Sequence, residues 1–167
     1  MSEIINNNET IVTETENASA GEASVMASTV TYDRSSKINI YQQITTTSCA
    51  ATCAAMCVKK TPQTLENDGF DLGNADWGGI ASKYGYSTNG WEYADLSDVL
   101  AVLKEGYPVI VKINESNPHW VVITKYSGSS TSPSKENFTC ADPATGKSVK
   151  LTSAARWDAV TKMVVFR

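Results

Sequence analysis

Residues 42–56 read QQITTTSCAATCAAM, a threonine-rich polar run that stops at Cys49 where an alanine-rich helix begins. A thiol at a helix start faces unpaired backbone N–H groups and the positive end of the helix dipole, which stabilise its thiolate. That placement lowers the thiol pKa and makes the sulfur nucleophilic near neutral pH. A thiolate attacking an amide also builds a negative oxygen that needs donors. The backbone N–H of Cys49 is one. The side-chain amide of Gln43, six residues earlier, is the candidate for the other, with Gln42 as its rival.

His119 is the chain's single histidine and opens the apolar run HWVVI. One imidazole excludes sites that need two, including the common zinc centres. It leaves His119 as the candidate general base for Cys49. Asp142 closes NFTCAD just before Pro143, where a carboxylate could receive the second ring N–H of the imidazole and fix its tautomer. Taken singly, each residue has a structural explanation: a small buried hydrophobe, a half-buried histidine, a turn-starting Asp-Pro. Their order, Gln then Cys at a helix start then His then Asp, points to nucleophilic catalysis.

The elements that must position them divide the chain in two. Helices are expected from residue 49 to about 59, capped by Thr47 or Ser48, over TPQTLEND with Pro62 in its first turn, and over ADWGGIASKYG up to Gly85. DLSDVLAVLKEG reads as a fourth, with Asp95 as cap, Asp98 three residues on and Gly106 as terminator. Short β-branched or aromatic runs follow: PVIVKI, HWVVITKY, NFTCAD, SVKLT and KMVVFR. VMASTVTYD reads as a weak strand and INIYQQ as an extended approach. SGSSTSPSKEN reads as a long polar hairpin loop, DPATGK as a tight turn and SAARWDAV as a short helix. Helices first and antiparallel strands after give an α+β domain, with an N-terminal helix bundle carrying Cys49 packed on a C-terminal antiparallel sheet.

The chain has 167 residues and a net charge of -4, one domain's worth of core and the wrong sign for a nucleic-acid binder. No apolar run is long enough for membrane insertion. The acidity is local. Five glutamates precede residue 28 and no Lys or Arg appears before Arg34, leaving thirteen acids against fourteen bases in the remainder. Residues 1–28 read as an acidic, disordered tail or propeptide, and 29–167 as the domain. The tail lacks a secretory signal, so a cytoplasmic protein is expected, with leader-type or non-classical export as the alternative. The four cysteines include Cys49, Cys53 and Cys57 on one helical stripe, which is no disulfide framework. Cys53 and Cys57 read as core. Cys140 is a core residue by default, with a regulatory disulfide to Cys49 as the lesser option.

TTTSCAATCAAM resembles the helix-start motif of papain-like peptidases of the bacteriocin-processing branch, cysteine peptidase family thirty-nine and its stand-alone relatives. GYPVIVKI, HWVVITKY and ADPATGK resemble that family's second half, in the same order. The resemblance covers roughly residues 38 to 167. It implies a papain-like fold and hydrolysis of a peptide or amide bond through a thioester. In it Cys49 is nucleophile, His119 base, Asp142 the orienting residue and Gln43 the oxyanion donor, with Trp120 bordering the substrate. It implies a peptide or protein substrate, a leader or cell-wall peptide among them, and no metal or organic cofactor. Relatives carry Gly-Pro after the cysteine where this chain has Ala50 and Ala51. The alternatives are a transglutaminase-like acyl transferase and a domain that binds peptides without cutting them. The tail segment NASAGEAS, rich in small residues, could be a self-substrate.

Overall fold

The computed structural model describes residues 11–14 and 28–167. It holds four α-helices and eight strands, in the order β1 (Ile11–Glu14), β2 (Ser28–Asp33), α1 (Cys49–Val58), α2 (Pro62–Asn67), α3 (Trp77–Lys83), β3 (Trp91–Tyr93), α4 (Leu96–Glu105), β4 (Val109–Asn114), β5 (His119–Ser129), β6 (Phe138–Asp142), β7 (Lys147–Lys150) and β8 (Lys162–Val164). Every strand pairing is antiparallel. The α+β expectation holds. The acidic tail lies outside the described residues, NASAGEAS with it, except for Ile11–Glu14, which pairs with β2 at one edge of the sheet.

The helices form where local chemistry ends and starts them. Asp95 accepts from the N–H groups of Ser97 and Asp98 while the Asp98 carboxylate accepts from the Asp95 N–H, a complete capping box. Thr61 caps α2 through the Thr64 N–H, with Pro62 in the first turn. Asp76 caps α3 through the Gly79 N–H. Among the described residues no helix is long and apolar enough to cross a membrane.

Strand β5 is the hub. Its first half pairs with β4 and its second half with β2 along one edge, while β6 occupies the other. The sheet separates two cores. On one face α1, α2 and α3 bury Met56, Leu65 and Ile80 with Ile110, Val122 and Val164. On the other α4 buries Val99 and Leu103 with Val111, Ile123, Tyr126 and Phe138. The expected helices carrying Cys49 do pack on the sheet: α1–α3 share one face, and α4 covers the opposite one. An amphipathic helix pattern defines a buried stripe but not which side of a sheet receives it.

Three further expectations change. SAARWDAV is not a helix. Leu151–Ser153 form one 3-10 turn, and Arg156 then takes a left-handed φ of 58° that ends any helical path. The long polar loop is shorter than its composition suggests, because β5 runs on to Ser129 against β2 and Lys135–Asn137 close a second 3-10 turn. Strand β3 carries no pattern long enough to read.

The tight turn after β6 depends on Gly146. Its N–H and that of Thr145 return to the Asp142 carbonyl, and its φ is 66°. A Cβ there would lie 2.9 Å from the Gln42 Cβ and 3.2 Å from the Gln42 nitrogen. Gly146→Ala is expected to combine left-handed strain with that clash and to lower stability by about 1–3 kcal/mol, read from urea unfolding midpoints at unchanged m-value.

Candidate active site

Cys49 is the first residue of α1, and the cap that sequence suggests there is missing. The Ser48 hydroxyl turns back, accepting from the Thr45 N–H and donating to the Thr45 carbonyl. The first N–H returning into the helix is that of Thr52, to the Ser48 carbonyl at 2.9 Å. No side chain competes for the N–H groups of Cys49, Ala50 and Ala51, and they face whatever charge sits at the helix start.

His119 begins β5 and Asp142 ends β6. Antiparallel pairing of those strands brings both to the same end of the sheet. The register pairs Val122 with Ala141, so one step further Asp142 is level with Val121, two residues from His119 along one face. His119 Nε2 lies 2.8 Å from Asp142 Oδ1, and the two side chains are 2% and 1% exposed. A bulge between Lys112 and Asn114, opposite His119, re-aims this end of β5. Asn114 then ties down the turn before the histidine by accepting from the Asn117 N–H.

The carboxylate has two more donors. Asp142 Oδ1 also accepts from the Ala144 N–H at 2.9 Å, and Oδ2 accepts from the Ala155 N–H at 2.8 Å. Burial opposes the ionised form of Asp142, but these bonds outweigh it and hold its pKa below the usual carboxylate value. Burial likewise opposes the imidazolium. The bonds to Asp142 and to Cys49 reverse that and lift His119 from 6.5 to about 9. With Nε2 on Asp142, the Cys49 bond falls to Nδ1. For Cys49, burial pushes the thiol up. The His119 hydrogen bond, the Trp120 and Ala50 N–H groups and the imidazolium charge bring it down below its ordinary value. The geometry favours a thiolate–imidazolium pair held in line by a carboxylate.

The other thiols differ. Burial raises Cys53, and pushes Cys57 and Cys140 to about 12. All four cysteines are free, and Cys140 sits at 0% exposure opposite Ile123 in the β5–β6 ladder. The disulfide to Cys49, the lesser option, is not formed, and Cys140 is packed in the core.

Cys49 opens onto a cleft of about 690 Å³. Thr46, Thr47 and Ala50 border it next to Cys49, Gly73, Asn74 and Ala75 add a loop, and Trp77, Trp91, Asn117, Pro118, Trp120 and Arg156 complete it. Trp120 lines the cleft with Cys49, its ring tilted by 58° to that of Trp77 with centres 5.2 Å apart. Gln43 is not among the lining residues. Its amide nitrogen donates to the Thr45 carbonyl at 2.9 Å, its Oε1 has no partner, and its backbone N–H binds the Pro143 carbonyl at 2.8 Å. Gln42 reaches the Ala144 carbonyl instead. Both glutamines therefore brace the Asp-Pro turn. Sequence reasoning missed the Ala155 N–H and Arg156, because a stretch read as helix carried no sign of either.

The sequence model of the Peptidase_C39-like family matches residues 35–165, which is most of the chain and spans Cys49, His119 and Asp142. The chain belongs to that family, as the motifs around its cysteine, histidine and Asp-Pro turn imply. Membership points to cysteine-peptidase-like activity, on a fold that is α+β and papain-like. No curated protein and no solved structure matches the chain.

Replacing Asp142 by Asn tests the carboxylate. Three N–H donors converge on it, and an amide offers one oxygen and one NH2, so the Ala155 N–H loses its acceptor. The expected cost is about 1–3 kcal/mol. The gap to wild type is expected to depend on pH. His119 has a raised pKa, so its contribution is complete below about 6.5 and is lost as pH rises through about 9. Urea titrations at pH 7 and pH 10 should therefore show the gap narrowing at the higher pH.

Proposed function

We propose that the protein is a cysteine peptidase whose catalytic line is Cys49, His119 and Asp142. The observation that carries this reading is the buried His119–Asp142 pair, 2.8 Å apart, beside a helix-start cysteine that lines a cleft, an arrangement that draws the thiol down and raises the imidazole to about 9. In this reading Cys49 Sγ attacks the carbonyl carbon of a peptide or related amide. The S–C bond forms and the carbonyl electrons move to oxygen. That oxyanion meets the backbone N–H of Cys49 at the helix start. The tetrahedral centre collapses, His119 gives its proton to the leaving amine, and a thioester remains. Water, deprotonated by the then neutral His119, releases the acid and restores the pair. Asp142 keeps Nδ1 aimed at sulfur and stabilises the imidazolium. Trp120 and Trp77 form an apolar wall for the substrate chain.

Cys49→Ala is expected to abolish cleavage, and His119→Ala to lower kcat/KM by about 10²–10⁴-fold, read on a peptide-library digest by mass spectrometry. Turnover surviving the cysteine change removes the mechanism. Peptide binding retained in Cys49→Ala with no turnover in either form indicates a domain that only binds.

The pH profile gives a second expectation. Activity requires the thiolate and the imidazolium together. It rises as Cys49 ionises and falls as His119 loses its proton, so kcat/KM should decline on the alkaline side near pH 9. An alkaline limb that stays near pH 9 in Asp142→Asn would contradict the role given to Asp142.

A further inference from the structure

The cleft has a charge that the hydrolysis described above does not use. Among the described residues lining it, Arg156 is the only arginine, lysine, aspartate or glutamate. Its position is imposed by the catalytic residues themselves. The N–H of the preceding residue, Ala155, is the one bound to Asp142 Oδ2 at 2.8 Å. The Arg156 carbonyl accepts from Asn114 Nδ2 at 2.9 Å, and its backbone sits at φ 58°, a conformation unfavourable for any residue with a Cβ. One guanidinium nitrogen, Nη1, donates to the Pro118 carbonyl at 3.2 Å, directly before His119. The remaining donors of the fork are left for a ligand.

The surroundings reinforce the sign. Lys162 lies 4.3 Å from the centre of the Trp91 ring and Lys112 lies 6.0 Å from that of Trp120, so both back the aromatic walls of the cleft. Glu115 alone answers the two lysines, at 2.8 Å from Lys112 and 3.5 Å from Lys162. Asp71 and Asp76, beside the opposite wall, accept from the Gly73 and Gly79 N–H groups and do not line the cleft. Asp158, two residues beyond Arg156, does not line the cleft.

The side of the cleft follows from the chemistry. His119 returns its proton to the departing amine, so residues adjoining His119 flank the leaving group. Arg156 is bonded to the residue before it. We infer that Arg156 is a specificity-determining residue that binds a carboxylate on the leaving-group side of the scissile bond, whether an acidic side chain or the substrate's C-terminus. This rests on the reading of Cys49 and His119 as the catalytic pair.

The test uses bromoacetyl probes, which label Cys49 without depending on a known substrate. Sγ displaces bromide, one C–S bond forms and one C–Br bond breaks. Bromoacetyl-Gln-amide is neutral, bromoacetyl-Glu-amide carries a side-chain carboxylate, and bromoacetyl-Gln with a free C-terminus carries a terminal one. Labelling rates are read by intact mass on the full chain. Variants are Arg156→Gly, whose backbone suits the left-handed φ, and Arg156→Lys, which keeps the charge. An acidic probe should react about tenfold faster than the neutral one in wild type. The preference should vanish in Arg156→Gly and persist in Arg156→Lys. Which acidic probe is preferred tells side chain from C-terminus. If the neutral probe labels Cys49 rapidly but the acidic preference is absent, or survives in Arg156→Gly, the inference is wrong and the catalytic reading stands. A neutral probe reacting no faster than an ordinary thiol overturns both.

Discussion

A single buried carboxylate constrains most of this molecule. Asp142 is 1% exposed, and an ion so placed is costly unless its oxygens are fully engaged. Its three donors come from different parts of the chain: His119 at the start of β5, Ala144 in its own turn and Ala155 beyond the following 3-10 turn. Satisfying one charge therefore fixes three backbone segments. The turn after β6 must close tightly enough for Gly146 to lie against Gln42. The segment after Leu151–Ser153 must stay extended enough to present the Ala155 N–H. An α-helix continued from the Leu151–Ser153 turn would bond that N–H to the Leu151 carbonyl and leave a lone pair of Asp142 empty.

The same ion sets the chemistry of the cysteine through one intermediary. Asp142 holds His119 charged, and His119 charged holds Cys49 towards its thiolate. The helix start adds backbone N–H groups because Ser48 is turned away to Thr45. These effects oppose burial, which dominates at Cys53, Cys57 and Cys140. Four thiols of one kind in one domain thus diverge for a stated reason, the presence or absence of an imidazolium partner. Ala50 and Ala51, where relatives carry Gly-Pro, do not disturb this. Ala51 is fully buried in the helical core, and Ala50 lines the cleft with a single methyl group.

The candidate site residues were picked out by local signals. A cysteine at a polar-to-helical junction, a lone histidine opening a strand and an aspartate closing the next strand each stand at an element boundary that turn and cap residues mark. Strand order followed from alternation and turn chemistry. What was not legible depends on tertiary demands. The alanines of SAARWDAV favour a helix locally, but the acceptor on Asp142 outbids them. Strand β3 spans three residues and is too short for a period. The face covered by α4 is a choice between two sides of a sheet that its own pattern cannot express. Gln43 shows the limit most clearly. Spacing put it near the thiol, while its amide chose the Thr45 carbonyl and its backbone the Pro143 carbonyl.

Aromatic contacts tie the helical side of the cleft to the sheet side. Trp77 begins α3 on the helical side, and Trp120 follows His119 on the sheet side, with ring centres 5.2 Å apart. Trp77 also meets Phe166 edge-on at 6.5 Å, and Phe166 meets Tyr86 at 6.4 Å. Each such pair is worth about 0.5–1.5 kcal/mol beyond the area it buries. Spreading the helical side from the sheet breaks these contacts together and exposes the large rings to water. These contacts brace α3 against the sheet beside Cys49 and His119. A substrate that enters meets a pair already aligned, so its binding energy is available for orienting the scissile bond rather than for assembling the site.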